Sequence, residues 1–225
     1  MKWDPILDSP TLDSPGSSPG IETGPPDPGL GRQQPARIPP EQFDAMYRAA
    51  PDPWDFRSSV YERRRYDVTM SVLRRTDYRR CFEPACSIGE LTARLAERCD
   101  EVVALDPSFA AVTTAAVRLR GCPNVDLRCG AVPEDWPAGA FDLVVLSEIA
   151  YYFDPAGVRD LGRRTASSLG PGGGGEVVAV HWRGESADHR LSGDAVHQLL
   201  RAELGPPTAS YMEPDFRLDS WEVRA

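Results

Sequence analysis

The chain lacks the features of proteins that bind nucleic acid, span a membrane or carry a signal peptide. It has no excess of positive charge, because 34 acidic residues outnumber 25 basic ones and give a formal net charge of −9. Proteins that bind duplex nucleic acid usually present a basic face, so the composition argues against that function. No apolar run is long enough to span a membrane, and the first residues lack the basic-then-apolar pattern of a signal peptide. We therefore expect a cytoplasmic protein that binds neither nucleic acid nor membrane.

Pairs of metal-ligating residues are also missing. The five cysteines include no Cys-x-x-Cys pair, and the three histidines do not stand beside them at zinc-ligand spacing. Most of the cysteines are expected to be small buried side chains in a reducing compartment. We expect no metal site.

Residues 1–38 are dominated by proline, glycine, serine and aspartate, with few side chains that a core could bury. Such a segment does not recover the entropy lost on ordering, so it is predicted to be a disordered tail. The remainder, 39–225, is predicted to be one domain, in which 39–78 forms an amino-terminal helical cap.

From residue 81 onward, apolar strands alternate with amphipathic helices. Strands without polar alternation are typical of a parallel sheet that is buried on both faces. The last strands surround Pro214-Asp215 and predict a hairpin. The fold class is therefore α/β: a Rossmann-like, seven-stranded, mostly parallel sheet with helices on both faces and a C-terminal antiparallel hairpin.

The loop after the first predicted strand, Glu83-Pro84-Ala85-Cys86-Ser87-Ile88-Gly89, has one glycine and lacks the Gly-x-Gly-x-x-Gly of dinucleotide sites. Small residues at alternate positions, Ala85, Ser87 and Gly89, let a backbone pass close to a ligand. Glu83 at the strand end repels phosphate and attracts cations. The loop therefore favours a positively charged cofactor without phosphate, although an ordinary tight turn has the same local pattern.

Asp106 ends the second predicted strand, 17 residues after Gly89. An acidic residue about 20 positions after such a loop commonly binds the ribose of an adenosine-type cofactor. The alternative is that Asp106 caps the helix that begins at Ser108. Together, the loop and the acidic residue favour the cofactor site.

These segments resemble class I S-adenosylmethionine-dependent methyltransferases: "EPACSIG" is similar to their first motif, "LDPS" to their second and "FDLVVLSEIAYYF" to their fourth strand region. A closer likeness is to the nodulation protein S type and its actinobacterial relatives. It covers roughly residues 40 to 225 and implies an enzyme that uses S-adenosyl-L-methionine on a small-molecule or saccharide acceptor. The acceptor of the founding proteins is the amino group of a de-acetylated chitooligosaccharide. The likeness rests on "DPWDFRSSVYERRRYDVTM", "EPACSIGELTARLAERC", "FDLVVLSEIAYYF" and "HWRGESADHRLSGDAVHQLL".

The resemblance also implies a set of cofactor-binding residues. The loop would border the methionine part of the cofactor and Asp106 the ribose. Many class I enzymes carry an acidic residue where this chain has Ala131, so adenine is expected to contact backbone at Ala131-Val132. Tyr61 and Arg65 are expected to close over the cofactor, or else to be a core contact and a solvated side chain. The full set is Glu83, Ala85, Cys86, Ser87, Gly89, Asp106, Pro107, Ser108, Ala131, Val132, Ser147, Tyr61 and Arg65.

Methyl transfer from a sulfonium is an in-line displacement, so the protein mainly aligns the reactants and supplies an electrostatic field. An amine acceptor needs only to be unprotonated, whereas a hydroxyl usually needs a general base or a metal. The candidate catalytic residues are Glu148, Tyr152 and His181. For His181 the alternative is a structural histidine at the edge of the sheet.

Three other functions remain open. A natural-product methyltransferase with an unrelated acceptor has the same cofactor site. A nicotinamide-dependent oxidoreductase requires the glycine pattern that is missing here. A non-catalytic cofactor-binding or scaffolding protein is disfavoured because Glu83, Gly89 and Asp106 occur together.

Overall fold

A computed structural model of the chain describes residues 37–170 and 174–223. The chain divides into two units, 1–34 and 35–225, and every described residue belongs to the second. Most of the predicted disordered tail, residues 1–36, lies outside the described residues. Its last two residues pair with the domain: Arg37 forms a β-bridge with Phe153, and the Ile38 amide donates to the Tyr152 carbonyl at 3.2 Å.

Helices and strands alternate through most of the described chain. Short 3-10 turns at Leu119–Gly121 and Ala150–Tyr152 follow α4 and β4. The helices are α1 (Pro40–Ala49), α2 (Val60–Val72), α3 (Glu90–Ala96), α4 (Phe109–Arg118), α5 (Pro155–Ser168) and α6 (Gly193–Leu204). The strands are β1 (Tyr78–Pro84), β2 (Cys99–Asp106), β3 (Val125–Cys129), β4 (Leu143–Ser147), β5 (Gly175–Trp182), β6 (Ala209–Met212) and β7 (Phe216–Val223).

The strands form one seven-stranded sheet in the order β3-β2-β1-β4-β5-β7-β6. β1 to β5 run parallel, and β7 is antiparallel to both β5 and β6. This topology confirms the predicted α/β fold with its C-terminal hairpin. The chain moves outward from β1 to β3 and then returns to place β4 on the other side of β1. The crevice beyond the carboxyl ends of β1 and β4 is therefore the switch point, where such sheets bind ligands.

The apolar strands are buried on both faces because each face is covered by different helices. On β1, Cys81 packs into a core with residues of α2 and α3, whereas Phe82 packs into a core with residues of α5 and α6. Leu143 and Val144 of β4 divide in the same way. This two-sided burial explains why the strands read as continuous apolar runs. Within the described ranges, no helix is both long and apolar enough to cross a membrane.

Candidate active site

The loop between β1 and α3 adopts the left-handed backbone conformation at every second residue. The φ angles are 59° at Ala85, 54° at Ser87 and 82° at Gly89. A Cβ on Gly89 would lie only 3.1 Å from Leu119 Cδ1 and 3.3 Å from the Ala115 side chain. Left-handed conformation is costly for residues with a Cβ. The single glycine therefore stands where this conformation coincides with close packing against α4.

Asp106 holds the loop to the start of α4. Its Oδ2 accepts the Ser87 amide at 2.8 Å, and its Oδ1 accepts the Ser108 amide at 2.9 Å. The side chain that caps α4 is instead Ser108, whose Oγ accepts the Ala111 amide at 3.1 Å. Burial raises the pKa of Asp106 to about 6. Each carboxylate oxygen retains lone-pair capacity, so Asp106 can accept further hydrogen bonds from a ligand.

Glu83 and Arg65 line one small cavity beside the loop. Glu83 is 2% exposed, and its Oε2 has no hydrogen-bond partner among the described residues. Burial raises the pKa of Glu83 to about 8. Arg65 is 1% exposed, donates from Nη1 to Ser147 Oγ at 2.7 Å and pairs with Glu62. Arg65 is therefore a buried member of the site and not a solvated side chain.

These two residues fit the amino-acid part of S-adenosylmethionine. The carboxyl of Glu83, with one buried and unpaired oxygen, suits an ammonium group. Arg65 carries five N–H donors, and three of them are used in hydrogen bonds to Glu62 and Ser147. The remaining donors suit a carboxylate. Tyr61 lies nearby in the sequence on α2, and its hydroxyl is buried and without a partner among the described residues.

The expected adenine contacts at Ala131-Val132 are already engaged within the protein. The Ala131 amide donates to Asp135 Oδ2 at 2.8 Å, and the Val132 carbonyl accepts the Arg37 guanidinium. Arg37 also pairs with Glu134 at 2.7 Å. The sequence has no acid at position 131, but Asp135, four residues later, bonds the Ala131 amide and was not predicted. The pair Glu134-Asp135 was the available signal.

Helix α1 covers the loop and the start of α4, and sequence reasoning assigned its polar residues no role. Asp44 Oδ1 accepts the Ser108 hydroxyl at 2.9 Å and the Ala110 amide at 3.2 Å. The Tyr47 hydroxyl forms a hydrogen bond with Ser87 Oγ. Ser87 and Ser108, both predicted to flank the cofactor, are therefore tied to α1.

Glu148 follows β4 in a left-handed conformation, with φ 55°. Its Oε1 accepts the Trp182 amide at 2.7 Å, and its Oε2 accepts the Tyr151 hydroxyl at 2.7 Å. Arg65 Nη1 lies 3.9 Å from the same carboxylate. Burial raises the pKa of Glu148. Glu148 thus joins the carboxyl ends of β4 and β5 beside the cavity that Arg65 lines.

An aromatic cluster lies next to Glu148. The ring of Tyr152 meets Phe43 and Tyr151 edge-on, with centroids 4.8 Å apart in both pairs. His189 stacks on Tyr151 with the centroids 3.7 Å apart, and Trp182 meets His189 edge-on. Sequence reasoning missed His189 because the β5–α6 loop has no periodicity from which packing can be read.

His181 does not face the crevice, which corrects the prediction of a general base at this position. Its side chain is 0% exposed. Nε2 accepts the Ala150 amide at 3.2 Å, and Nδ1 lies 3.2 Å from His197 Nε2. Burial lowers the pKa of His181 well below its ordinary value. With both ring nitrogens engaged inside the protein, His181 matches the structural alternative.

A cluster of residues that could hold a metal ion is not found within residues 37–170 and 174–223. The crevice instead contains two carboxyl groups, Glu83 and Glu148, and the Arg65 guanidinium, which line the same cavity. Such a set can bind a zwitterion and orient a second, uncharged group beside it.

Comparisons with known proteins show which proteins this chain resembles. Residues 82–173 match the family model described as a methyltransferase domain. A Pseudomonas syringae protein assigned as a methyltransferase has a solved structure that is 41% identical, with a TM-score of 0.64 over 73% of this chain and 99% of that chain. The chain therefore belongs to the class I S-adenosylmethionine-dependent methyltransferase family.

Relatives of the nodulation protein S type are more distant. Nodulation protein S of Sinorhizobium fredii is 26% identical over 127 residues, and the match spans 56% of this chain and 59% of that protein. The crystal structure of the N-methyltransferase NodS from Bradyrhizobium japonicum with S-adenosyl-L-homocysteine superposes with a TM-score of 0.71 at 20% identity. That match covers 83% of this chain and 99% of that one and concerns the fold. The assignment made from the sequence motifs, with S-adenosyl-L-methionine as the family cofactor, is confirmed.

Proposed function

We propose that this chain transfers a methyl group from S-adenosyl-L-methionine to an amine of a small-molecule or saccharide acceptor. The observation that carries the proposal is the cavity lined by Glu83, Arg65 and the loop that contains Ser87, at the switch point of the sheet. A buried unpaired carboxylate oxygen and a buried guanidinium face the same space. This combination suits a zwitterionic amino-acid group better than a phosphate.

S-adenosylmethionine, when bound, supplies a methyl group activated by its sulfonium. Glu83 accepts hydrogen bonds from the ammonium end, Arg65 binds the carboxylate end, and Asp106 accepts hydrogen bonds from the ribose hydroxyls. α1 covers the loop through its bonds to Ser87 and Ser108. These contacts fix orientation, which is the main contribution a protein makes to an in-line displacement.

The acceptor binds next to Glu148, against the partly exposed members of the aromatic cluster, Tyr152, Trp182 and His189. Aromatic faces suit a sugar or a ring, and they also attract an amine in its protonated form. Glu148 then takes up the proton that the acceptor gives up, because burial raises the pKa of its carboxyl. Tyr152 lines the cluster. An amine is favoured over a hydroxyl because the relative NodS is named an N-methyltransferase.

Calorimetric titration with S-adenosylmethionine and S-adenosylhomocysteine tests the cofactor part. Binding to the wild type is expected, with affinity reduced by about tenfold or more in Asp106→Ala, which loses the ribose acceptor and the Ser87 tether. Asp126→Ala is a matched control, because Asp126 is a half-buried acid on β3 that pairs with Arg128 and does not line the cavity. Absence of binding to the wild type contradicts the proposal.

Methyl transfer to a panel of acceptors tests the second part. The panel contains amino-sugar oligomers, small aromatic amines and the matching hydroxyl compounds. Turnover of an amine, lost in Glu148→Gln, is the expected result. If only the hydroxyl compounds are methylated, the acceptor is an alcohol and not an amine. A preference for non-saccharide amines supports the natural-product alternative.

A further inference from the structure

A chain of buried side chains connects the turn after β4 to β7. The Ala150 amide donates to His181 Nε2 at 3.2 Å, His181 Nδ1 lies 3.2 Å from His197 Nε2, and His197 Nδ1 lies 2.8 Å from Asp219 Oδ2. The side chains of all three residues are 0% exposed. They come from β5, α6 and β7, so the chain runs across three elements.

The hydrogens on this chain can be assigned from its ends. The Ala150 amide can only donate, so His181 Nε2 must accept and the ring proton sits on Nδ1. His197 Nε2 then accepts a hydrogen bond from His181 Nδ1–H, and His197 Nδ1–H donates a hydrogen bond to the Asp219 carboxylate. One arrangement therefore satisfies every group, and it keeps both imidazoles neutral.

Asp219, the last member of this hydrogen-bonded series, stays anionic. Burial opposes ionisation of Asp219, but hydrogen bonds from His197 and Arg201 hold its pKa below the ordinary value. Arg201 donates to Asp219 Oδ1 at 3.0 Å, and Arg217 lies 3.2 Å from Oδ2. The two arginines keep Asp219 an acceptor, which in turn keeps the proton of His197 on Nδ1.

His181, at the other end of this series, holds the turn that carries the candidate catalytic groups. Three contacts join the end of β4 to the end of β5: Glu148 amide to Val180 carbonyl at 2.9 Å, Trp182 amide to Glu148 Oε1 at 2.7 Å, and Ala150 amide to His181 Nε2. Glu148 is also in the left-handed conformation, so the turn needs such contacts to persist. Of the three contacts, the bond from Ala150 to the imidazole depends on a tautomer.

We propose that Asp219 and His197 are positioning residues that fix the tautomer of His181 and thereby hold the Glu148–Tyr152 turn in its acceptor-facing conformation. The tautomer part stands on the hydrogen bonds alone, and the link to the acceptor rests on the proposed function. Protonation of His181 on Nε2 would set two donors against each other at Ala150 and release the turn.

The test uses the full-length protein labelled with 15N-histidine and Asp219→Asn. The side-chain amide of asparagine is neutral and presents one acceptor and one donor, so the reversed tautomers, which the carboxylate excludes, become accessible along this series. In the wild type, the 15N shifts of His181 should show an unprotonated Nε2. In Asp219→Asn, we expect a second His181 signal with a protonated Nε2 and faster exchange of the Ala150 amide with solvent, by up to about tenfold, the factor that corresponds to one lost hydrogen bond. Arg164→Gln, which removes an arginine paired with Asp160 on α5 and touches no member of this series, should leave both signals unchanged.

A second pair of variants covers the case in which Asp219→Asn does not fold. His197→Gln retains an acceptor for the His181 Nδ1 proton and should keep the wild-type tautomer, whereas His197→Leu removes it and should speed Ala150 exchange. With an amine acceptor from the panel, kcat should fall in His197→Leu while the dissociation constant of S-adenosylhomocysteine stays within about twofold.

Two results overturn the proposal. One is a protonated His181 Nε2 in the wild type. The other is a reversed or unanchored His181 that changes neither Ala150 exchange nor kcat. Absence of methyl transfer by the wild type, with the expected 15N shifts and exchange, contradicts the proposed function and leaves the positioning of the turn established.

Discussion

At the scale of single residues, the loop after β1 distinguishes two reasons why a position needs glycine: left-handed backbone and lack of space for a Cβ. Ala85, Ser87 and Gly89 all adopt left-handed backbone, but at Gly89 a Cβ would also crowd Ala115 of α4 and Leu119 of the turn that follows it. The strain at Ala85 and Ser87 is offset by the contacts that hold the loop, such as the bond from Ser87 to Asp106. A site with one glycine can therefore have the backbone path of a glycine-rich loop.

Ala85→Gly and Gly89→Ala should have opposite effects on stability. Glycine at 85 removes left-handed strain and should raise the free energy of unfolding by about 0.5 kcal/mol, after the entropy cost of glycine. Alanine at 89 adds strain and crowding and should lower it by about 2 kcal/mol. Urea unfolding of each variant measures both. Gly121→Ala is the control, because a Cβ there meets nothing within 4 Å, and its effect should stay within about 0.5 kcal/mol.

Equal destabilisation of all three variants would contradict this prediction. It would mean that the unfolded state, and not the left-handed conformation, determines the effect of glycine at these positions.

At the scale of elements, the sequence predicted the parts that local patterns encode. β2, β4 and β5 were predicted because buried parallel strands are continuous apolar runs. β1 and β3 were predicted from the alternation of strands and helices, and the hairpin from the two segments around Pro214-Asp215. Glu83 and Asp106 were placed correctly at the carboxyl ends of β1 and β2, because strand ends can be counted along the chain. That these residues bind the cofactor stays a prediction.

Contacts between distant elements could not be predicted in this way. Asp44 reaches Ser108 across 64 positions, and His181 meets His197 across 16 positions between a strand and a helix. No periodicity records which buried polar groups will pair, since one histidine at a strand end is compatible with either a base or a structural role. The error at His181 and the omission of Asp44 have this common origin.

Loosening α1 should change how fast the cofactor enters and leaves. Tyr47→Phe removes the bond to Ser87 with little loss of volume, and Asp44→Ala removes the acceptor for Ser108 and Ala110. Both variants should increase the association and dissociation rate constants of S-adenosylhomocysteine, the second by about tenfold. Stopped-flow fluorescence measures the two rates. Gln42→Ala, on an exposed position of the same helix, should leave them unchanged, and unchanged rates in all three variants would argue against α1 as the cover.

At the scale of the whole molecule, the site contains acids whose pKa the fold raises. Burial raises the pKa of Glu83 from 4.5 to about 8 and that of Asp106 from 3.8 to about 6. A carboxyl whose pKa is higher in the folded state loses a proton on unfolding between its two pKa values. Its contribution to stability therefore falls as the pH rises through that window. Buried His181 has a lowered pKa and acts in the opposite direction, but its effect is complete above its unfolded value of 6.5.

Between pH 7 and pH 8, Glu83 should consequently dominate these buried-group contributions in the ligand-free protein. The wild type should lose about 1 kcal/mol of unfolding free energy over this interval relative to Glu83→Gln, whose side chain does not titrate. A bound ammonium group favours the charged form of Glu83, so binding of S-adenosylmethionine at pH 7 should release a proton. Calorimetry in buffers of different ionisation enthalpy detects that proton, and Glu83→Gln should lack it. Parallel pH profiles of the two proteins, with no proton release by the wild type, would mean that Glu83 is ionised before the ligand arrives and that burial does not control its charge.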